Sequence, residues 1–168
     1  MSAVSGGSER HPVVNLVPVT RENWHQARAL SVRPDQESFV PPVIVSLAKV
    51  GIRPGGPEDE HRPYAVMDGS QMVGFGELSG AFGSWETLWL GGFLVDARFQ
   101  QQGYGRAALA EFVDLARGVP ACRTLGLTVH PENAVAQRLY RSRGFETRGE
   151  LFEGEVVYRL PLVDAEQR

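Results

Sequence analysis

The sequence predicts one mixed α/β domain, and three observations carry that prediction. A chain of 168 residues can build one sizeable core and is short for two ordinary domains. Its composition, 42% hydrophobic and 22% charged, is that of a soluble globular protein. Most decisively, strand-type alternation and helix-type spacing interleave in the order βααβββαβαββ, with two β–α crossovers and no internal repeat.

Val13 to Val19 is a β-branched run broken by Asn15 and Pro18, which suits an edge strand. Thr20 reads as an N-cap for a helix that carries Trp24, Ala27 and Leu30 or Ser31 on one face and ends before Pro34. Pro41-Pro42 then opens a short helix through Val43, Ile44, Leu47 and Ala48. Gly51 to Pro63, with three prolines, three glycines and the acidic run Glu58-Asp59-Glu60, is expected to be a mobile loop. Tyr64–Met67, the turn Asp68-Gly69 and Gln71–Leu78 form a hairpin signal. After a turn at Gly80–Ser84, Thr87–Val95 is the next strand. Arg106–Ala116 places Leu109, Phe112, Val113 and Ala116 at helical spacing, and Gly118-Val119-Pro120 ends that helix. Thr124–Val129 alternates as a buried strand. Asn133 caps a helix through Arg143, and Gly144 stands where a left-handed C-cap glycine belongs. Thr147–Phe152, a Glu153-Gly154 turn and Val156–Leu160 read as a closing hairpin.

Net charge is −3 and dense Lys/Arg runs are lacking, which argues against nucleic acid or an anionic membrane as partner. No apolar run approaches the roughly 18 residues of a membrane span. Cys122, the single cysteine, cannot form an internal disulfide and is expected in the core, which fits a reducing cytoplasm. Residues 1–12 are small and polar and read as a disordered tail ahead of a domain over 13–163. No Asp/Glu/His grouping has metal-ligand spacing, so no metal is expected.

The segment with the most chemistry runs from Leu90 to Ala116: a strand, a glycine turn at Gly103-Tyr104-Gly105, and a helix. Glycines at alternate positions let backbone amides approach a ligand, and with the positive end of the helix dipole they form an anion site. Gly-x-Gly alone also fits a plain tight turn. The P-loop pattern is absent because no Gly-Lys-Ser/Thr follows, and the third glycine of a dinucleotide fingerprint is replaced by Ala108.

One strand later comes Pro131 to Phe145, and the two segments together resemble the signature motifs of the GCN5-related N-acetyltransferases (GNAT). Gln100, Gly103 and Gly105 match the Gln/Arg-x-x-Gly-x-Gly/Ala turn. Asn133, Ala136, Tyr140, Gly144 and Phe145 match the Asn-x-x-Ala-x-x-x-Tyr-x-x-x-Gly-Phe helix. The resemblance covers about Thr20 to Leu160. It implies an α/β (α+β) domain with a mixed, mostly antiparallel sheet flanked by helices and with splayed central strands. It also implies acetyl-CoA as cosubstrate and, because the family often dimerises through its sheet or terminal strands, a homodimer as one expected assembly. By the same resemblance Phe93, Leu94 and Val95 should pair with the pantetheine arm. The turn of Gln100, Gln101, Gln102, Gly103, Tyr104, Gly105 and Arg106 should hold the diphosphate, with Asn133 reaching the pantetheine or a site water. Tyr140 should face the thioester sulfur.

A phenol there suits protonation of the leaving thiolate. An aliphatic amine is neutral only about one part in a thousand at pH 7, so a proton acceptor is also needed. Glu77, Glu86 and His130 are candidates, with Glu77 preferred; the face it presents is undecided because Gly74 and Gly76 beside it lack side chains. Among GNAT branches the chain is most similar to bacterial diamine and polyamine acetyltransferases, through Glu37 to Pro42, Ser46-Leu47-Ala48, Tyr64-Ala65-Val66, Met72 to Phe75 and Trp89-Leu90. That likeness implies Glu37 and Phe39 in the acceptor cleft and a small cationic amine as substrate. Two departures stand out: Gly91-Gly92 where those relatives carry an arginine after the tryptophan, and Gln101-Gln102-Gly103 where they carry Gly-Lys-Gly. Another amine (an antibiotic, a metabolite, a protein lysine or N-terminus) and a non-catalytic acetyl-CoA sensor remain the alternatives. Thr128, where N-terminal acetyltransferases carry a glutamate, argues against a protein N-terminus.

Overall fold

A computed structural model describes residues 11–163. Most of the expected N-terminal tail therefore lies outside the described residues, although Pro12 lies against the glycine turn: a Cβ on Gly103 would come within 3.1 Å of its ring.

The chain runs β1(Asn15–Pro18), α1(Trp24–Arg28), α2(Val43–Ile52), β2(Glu60–Asp68), β3(Gln71–Gly80), β4(Thr87–Val95), α3(Tyr104–Arg117), β5(Thr124–Val129), α4(Ala134–Ser142), β6(Leu151–Phe152) and β7(Glu155–Pro161). These strands form one seven-stranded sheet in the order β1-β2-β3-β4-β5-β7-β6. Every pairing is antiparallel except β4 with β5, the pair joined by the α3 crossover.

The sheet is buried on both faces. On one, Val66, Val73, Leu78 and Leu90 pack beneath Leu109, Phe112 and Val113 of α3. On the other, Ala65, Met72, Phe75 and Leu94 pack beneath Ala27 of α1 and Val43 of α2. The neighbours Ala65/Val66 and Met72/Val73 thus serve opposite cores, as a two-residue period requires, while register shifts in β3 and β4 put Phe75 and Leu94 on the face opposite Val73 and Leu90. Cys122 is buried in the α3-side core and its thiol donates to the Thr124 carbonyl at 3.3 Å.

Four boundaries differ from the sequence expectation. The first helix begins at Trp24 because Thr20 and Asn23 close a turn ahead of it, the Thr20 amide donating to Asn23 Oδ1 at 2.8 Å. The second helix continues to Ile52 and stops at Arg53, whose φ is +49°. The loop expected up to Pro63 ends early: Glu60–Pro63 pair with Glu77–Gly80, their charged residues having masked the strand signal. Pro63 is tolerated because the last pair of β1 is Pro18 with Tyr64, so no strand partner is there for the N–H it lacks. In the closing hairpin, β6 is only Leu151–Phe152. Gly149, at φ +78°, breaks the strand expected from Thr147, and Glu146 makes an isolated bridge to Arg159 instead.

Candidate active site

The site begins where β4 and β5 part. They pair from Thr87–Thr124 to Leu90–Leu127, and no pair follows. The cause lies in β4. Against β3, Glu77 faces Gly91 and Phe75 faces Leu94, so Gly92 and Phe93 share the place opposite Gly76. This is a β-bulge, with Gly92 at φ +56° in the left-handed region. A Cβ there would also meet Ser46 Oγ at 2.6 Å. The Gly91-Gly92 pair bends the strand, and the β5-facing edge of Gly91–Val95 is left without a strand partner.

That free edge borders a cavity of about 650 Å³, within the usual range for small-molecule sites. Leu90 to Val95 form one wall, Gln100, Gln101, Tyr104 and Gly105 one end, and Thr128, Asn133, Ala136 and Tyr140 the opposite wall. Arg33, Phe39 and Lys49 approach from the α1–α2 side, and Phe152, Glu153 and Glu155 from the closing hairpin.

The glycine turn presents unpartnered backbone amides. Gly103, at φ +87°, is the N-cap of α3, and no amide of residues 101 to 106 has a hydrogen-bond partner among the described residues. Gln101 is also left-handed, at φ +61°, at a place where the related turn carries glycine. Gln100 is not free for a ligand: its amide donates to Val95 O and Gln36 Oε1 and accepts from Arg33 Nη1, all within 3.1 Å. It locks the turn to β4 and to the segment after α1. Asp96 reinforces the lock by accepting from the amides of Ser31 and Arg98 and from Arg98 Nε at 2.7 Å. The Tyr104 hydroxyl donates to Asp68 at 2.5 Å, which ties the turn to the β2–β3 hairpin. Gln102 and Arg106 are exposed, and Gln102 makes only a long contact to Arg98 O at 3.4 Å.

On the opposite wall, Asn133 caps α4, its Oδ1 accepting from the Ala136 amide at 3.2 Å and its NH2 group left for a ligand. Tyr140 is 6% exposed, and its hydroxyl opens on the cavity with no partner among the described residues. Burial, then the charge of Glu155, pushes this phenol well above the ordinary tyrosine range. It stays protonated at any physiological pH.

The expected acceptor-side residues separate. Phe39 lines the cavity, its ring 5.1 Å from that of His130, but Glu37 is exposed and is not part of the lining. Glu86 is exposed at the far end of β4. Glu77 is 1% exposed on the α2 face, because Gly76 on the opposite face is covered by Phe112, whose ring would come within 2.6 Å of a Cβ there. It sits behind Gly91, one layer back from the cavity, held by Lys49 Nζ at 3.5 Å and His61 Nδ1 at 3.3 Å. His61 Nε2 lies 2.9 Å from Asp59. The acid expected in a free loop is thus part of a buried chain. Only an imidazolium can donate to both carboxylates at once. Glu155 was not expected in the site. It is half-buried on β7, accepts from the Thr128 hydroxyl and lines the cavity beside Tyr140. Only the β5–β7 pairing brings it there, so local sequence carries no signal for it. Among the described residues no group of three or more His, Cys, Asp or Glu could hold a metal, and no helix is long and apolar enough to cross a membrane.

A free strand edge, a turn of unpartnered amides at its end and a phenol across from it line one cavity. Comparison with known proteins identifies the class. Residues 22–145 match the acetyltransferase (GNAT) family. A spermine/spermidine N(1)-acetyltransferase of Bacillus subtilis is 27% identical over 151 residues, covering 86% of this chain and 95% of that protein. Among solved structures, spermidine N-acetyltransferase from Vibrio cholerae, in complex with CoA and spermine, superposes with TM-score 0.66 at 19% identity, covering 87% and 92% of the two chains. An aminoglycoside acetyltransferase in complex with coenzyme A does so with TM-score 0.72 at 17% identity, covering 88% and 94%. The chain belongs to the GNAT family and is an acetyl-CoA-dependent N-acetyltransferase.

Proposed function

We infer that the acceptor is a primary amine of a small polycation such as a diamine or polyamine, acetylated by direct attack with Tyr140 as general acid. The observation that carries this reading is the unpartnered Tyr140 hydroxyl on a cavity whose neighbouring wall holds two carboxylates, Glu153 and Glu155. A buried phenol that donates to nothing in the protein is set to donate to a ligand, and carboxylates at the same opening attract a cation. The relatives named for spermine and spermidine support the same acceptor class.

The donor lies along β4. The edge of Phe93, Leu94 and Val95 that lacks a strand partner pairs with the pantetheine arm as an added strand would. The amides of Gln101 to Arg106 receive the diphosphate with the dipole of α3 behind them. Gln100 contributes by holding that turn, and the Asn133 NH2 faces the arm. The thioester then lies between the splayed strands with its sulfur towards Tyr140. As the amine nitrogen bonds to the carbonyl carbon and the C–S bond breaks, Tyr140 gives its proton to the departing thiolate.

Thiol release with acetyl-CoA against spermidine, spermine, putrescine, an aminoglycoside and a peptide N-terminus tests the acceptor. Saturable turnover with the polyamines, well above that with the other amines, is expected. Flat rates with all three polyamines would remove the polyamine assignment, and a preference for the aminoglycoside would replace it.

A further inference from the structure

Direct attack requires a group to take a proton from nitrogen, and Glu77 lies behind the wall with both its neighbours already claiming it. We propose that Glu155 is the general base of this enzyme and that it returns the proton it takes to Tyr140. The proposal rests on the acetyl-transfer reading above.

The geometry has three parts. First, Glu155 lines the cavity, whereas Glu77 does not. Second, its carboxylate is oriented rather than loose: Thr128 Oγ1, on the β5 side of the splay, donates to Oε2, while Oε1 has no partner among the described residues. A carboxylate with one oxygen held and one free is arranged to accept from a ligand N–H. Third, Glu155 and Tyr140 sense each other: its negative charge disfavours the phenolate, which keeps the acid loaded.

The proton balance closes within this pair. A neutral amine attacks the thioester carbonyl carbon, and the new C–N bond makes its nitrogen strongly acidic. One N–H proton passes to Glu155 Oε1. The C–S bond breaks and Tyr140 Oη protonates the sulfur, leaving a phenolate. The carboxylic acid of Glu155 then returns its proton to that phenolate through a bridging water, because no hydrogen bond joins the two side chains directly. Amine and acetyl-CoA become acetamide and free thiol, and both side chains return to their starting states.

The test is steady-state thiol release by wild type, E155Q, E155A and E155D with acetyl-CoA and an amine that the wild type accepts. Each variant's melting temperature is measured in parallel. A kcat about 100-fold or more below wild type is expected for E155Q, with KM for acetyl-CoA within about threefold. Added formate should restore part of the turnover of E155A, since a small carboxylate fits the space the side chain leaves. E155D should fall between wild type and E155Q. Unchanged kcat in E155Q would overturn the assignment. So would a loss confined to the amine KM, which would make Glu155 an anchor for the substrate. If E155Q does not fold, E155D with wild-type kcat, or a folded E155A indifferent to formate, overturns it equally. A wild type that releases no thiol with any amine instead removes the acetyl-transfer reading itself, a separate outcome.

Discussion

The two halves of the cavity are made of different materials. The half proposed for the donor is backbone: a bulged strand edge at Gly91–Val95 and the unpartnered amides of residues 101 to 106, fixed in place by Gln100, Asp96 and Tyr104. The acceptor half is side chain: Phe39 and Lys49 from the α1–α2 side, Tyr140 from α4, Glu153 and Glu155 from the closing hairpin. A backbone site recognises features that every acetyl-CoA molecule presents. A side-chain site changes with each substitution. The donor side should therefore fail through geometry and the acceptor side through chemistry, and substitutions can separate the two.

The largest effect should come from Y140F, which removes one oxygen and little volume. A fall in kcat of about 100- to 10,000-fold is expected from loss of a positioned acid, with acetyl-CoA binding by calorimetry close to wild type. Full turnover by the variant would mean that the thiolate leaves without this proton and that Tyr140 belongs to the core alone.

The same contrast explains what could be read from the chain before its structure. The elements of the half proposed for the donor were legible because a strand, a glycine turn and a helix are consecutive, from Leu90 to Ala116, and because the helix carrying Tyr140 follows one strand later. The acceptor half was legible only where a residue lies in such a segment. Phe39 reached the cavity and Glu37, two residues earlier, did not, since a loop gives no period from which to infer a face. The face of Glu77 stayed undecided for a related reason. Gly74 and Gly76 hid the alternation, yet those glycines exist because Leu94 O and the Phe112 ring would lie 2.6 Å from a Cβ at each. Their meaning was close approach, and only the partner across the gap reveals it. Glu155 joins its site through the pairing of β7 with β5, and Asp59 joins its chain of side chains through His61, two residues on.

Glu77 supplies the next prediction. Glu77, His61 and Asp59 form a buried chain of polar side chains that the half-exposed Lys49 joins at Glu77, and removing one member of a buried ion pair commonly costs about 3–5 kcal/mol because its partner is left uncompensated. E77Q should therefore lower the midpoint of chemical denaturation steeply. If E77Q retains stability but loses turnover, the carboxylate does reach the substrate, and the assignment to a supporting layer is wrong.

Asp96 tests the frame beneath the donor half. Burial raises its carboxyl, but hydrogen bonds from the Arg98 side chain and from the amides of Arg98 and Ser31 outweigh that and hold it below the usual carboxylate range. A group whose folded value is depressed stabilises above its unfolded value, near about 3.9, and loses that contribution as pH falls through the folded value. Denaturation followed from pH 7 downward should show the wild type losing stability at the acid end. D96N should start about 1–3 kcal/mol lower at pH 7 and lack that acid-side loss. Parallel curves for the two proteins would mean the carboxylate is not what ties β4 to Ser31.

The smallest effect is the sharpest test of a backbone site. Gly105 has no steric need to be glycine in the free protein: a Cβ there would meet Leu139 at 3.5 Å and Val95 at 3.8 Å, both ordinary contacts, and its φ lies outside the left-handed region. In a helix, alanine is even preferred over glycine by about 0.5–1 kcal/mol. G105A should therefore be as stable as wild type or slightly more so. If the diphosphate lies against the amides of this turn, however, the added methyl projects into the cavity that Gly105 lines, and KM for acetyl-CoA should rise several-fold while the amine KM stays put. Gly103 cannot make this distinction, because at φ +87° any side chain strains the fold whether or not a ligand is bound. A G105A protein of undiminished stability and unchanged acetyl-CoA KM would show that the donor approaches the turn elsewhere.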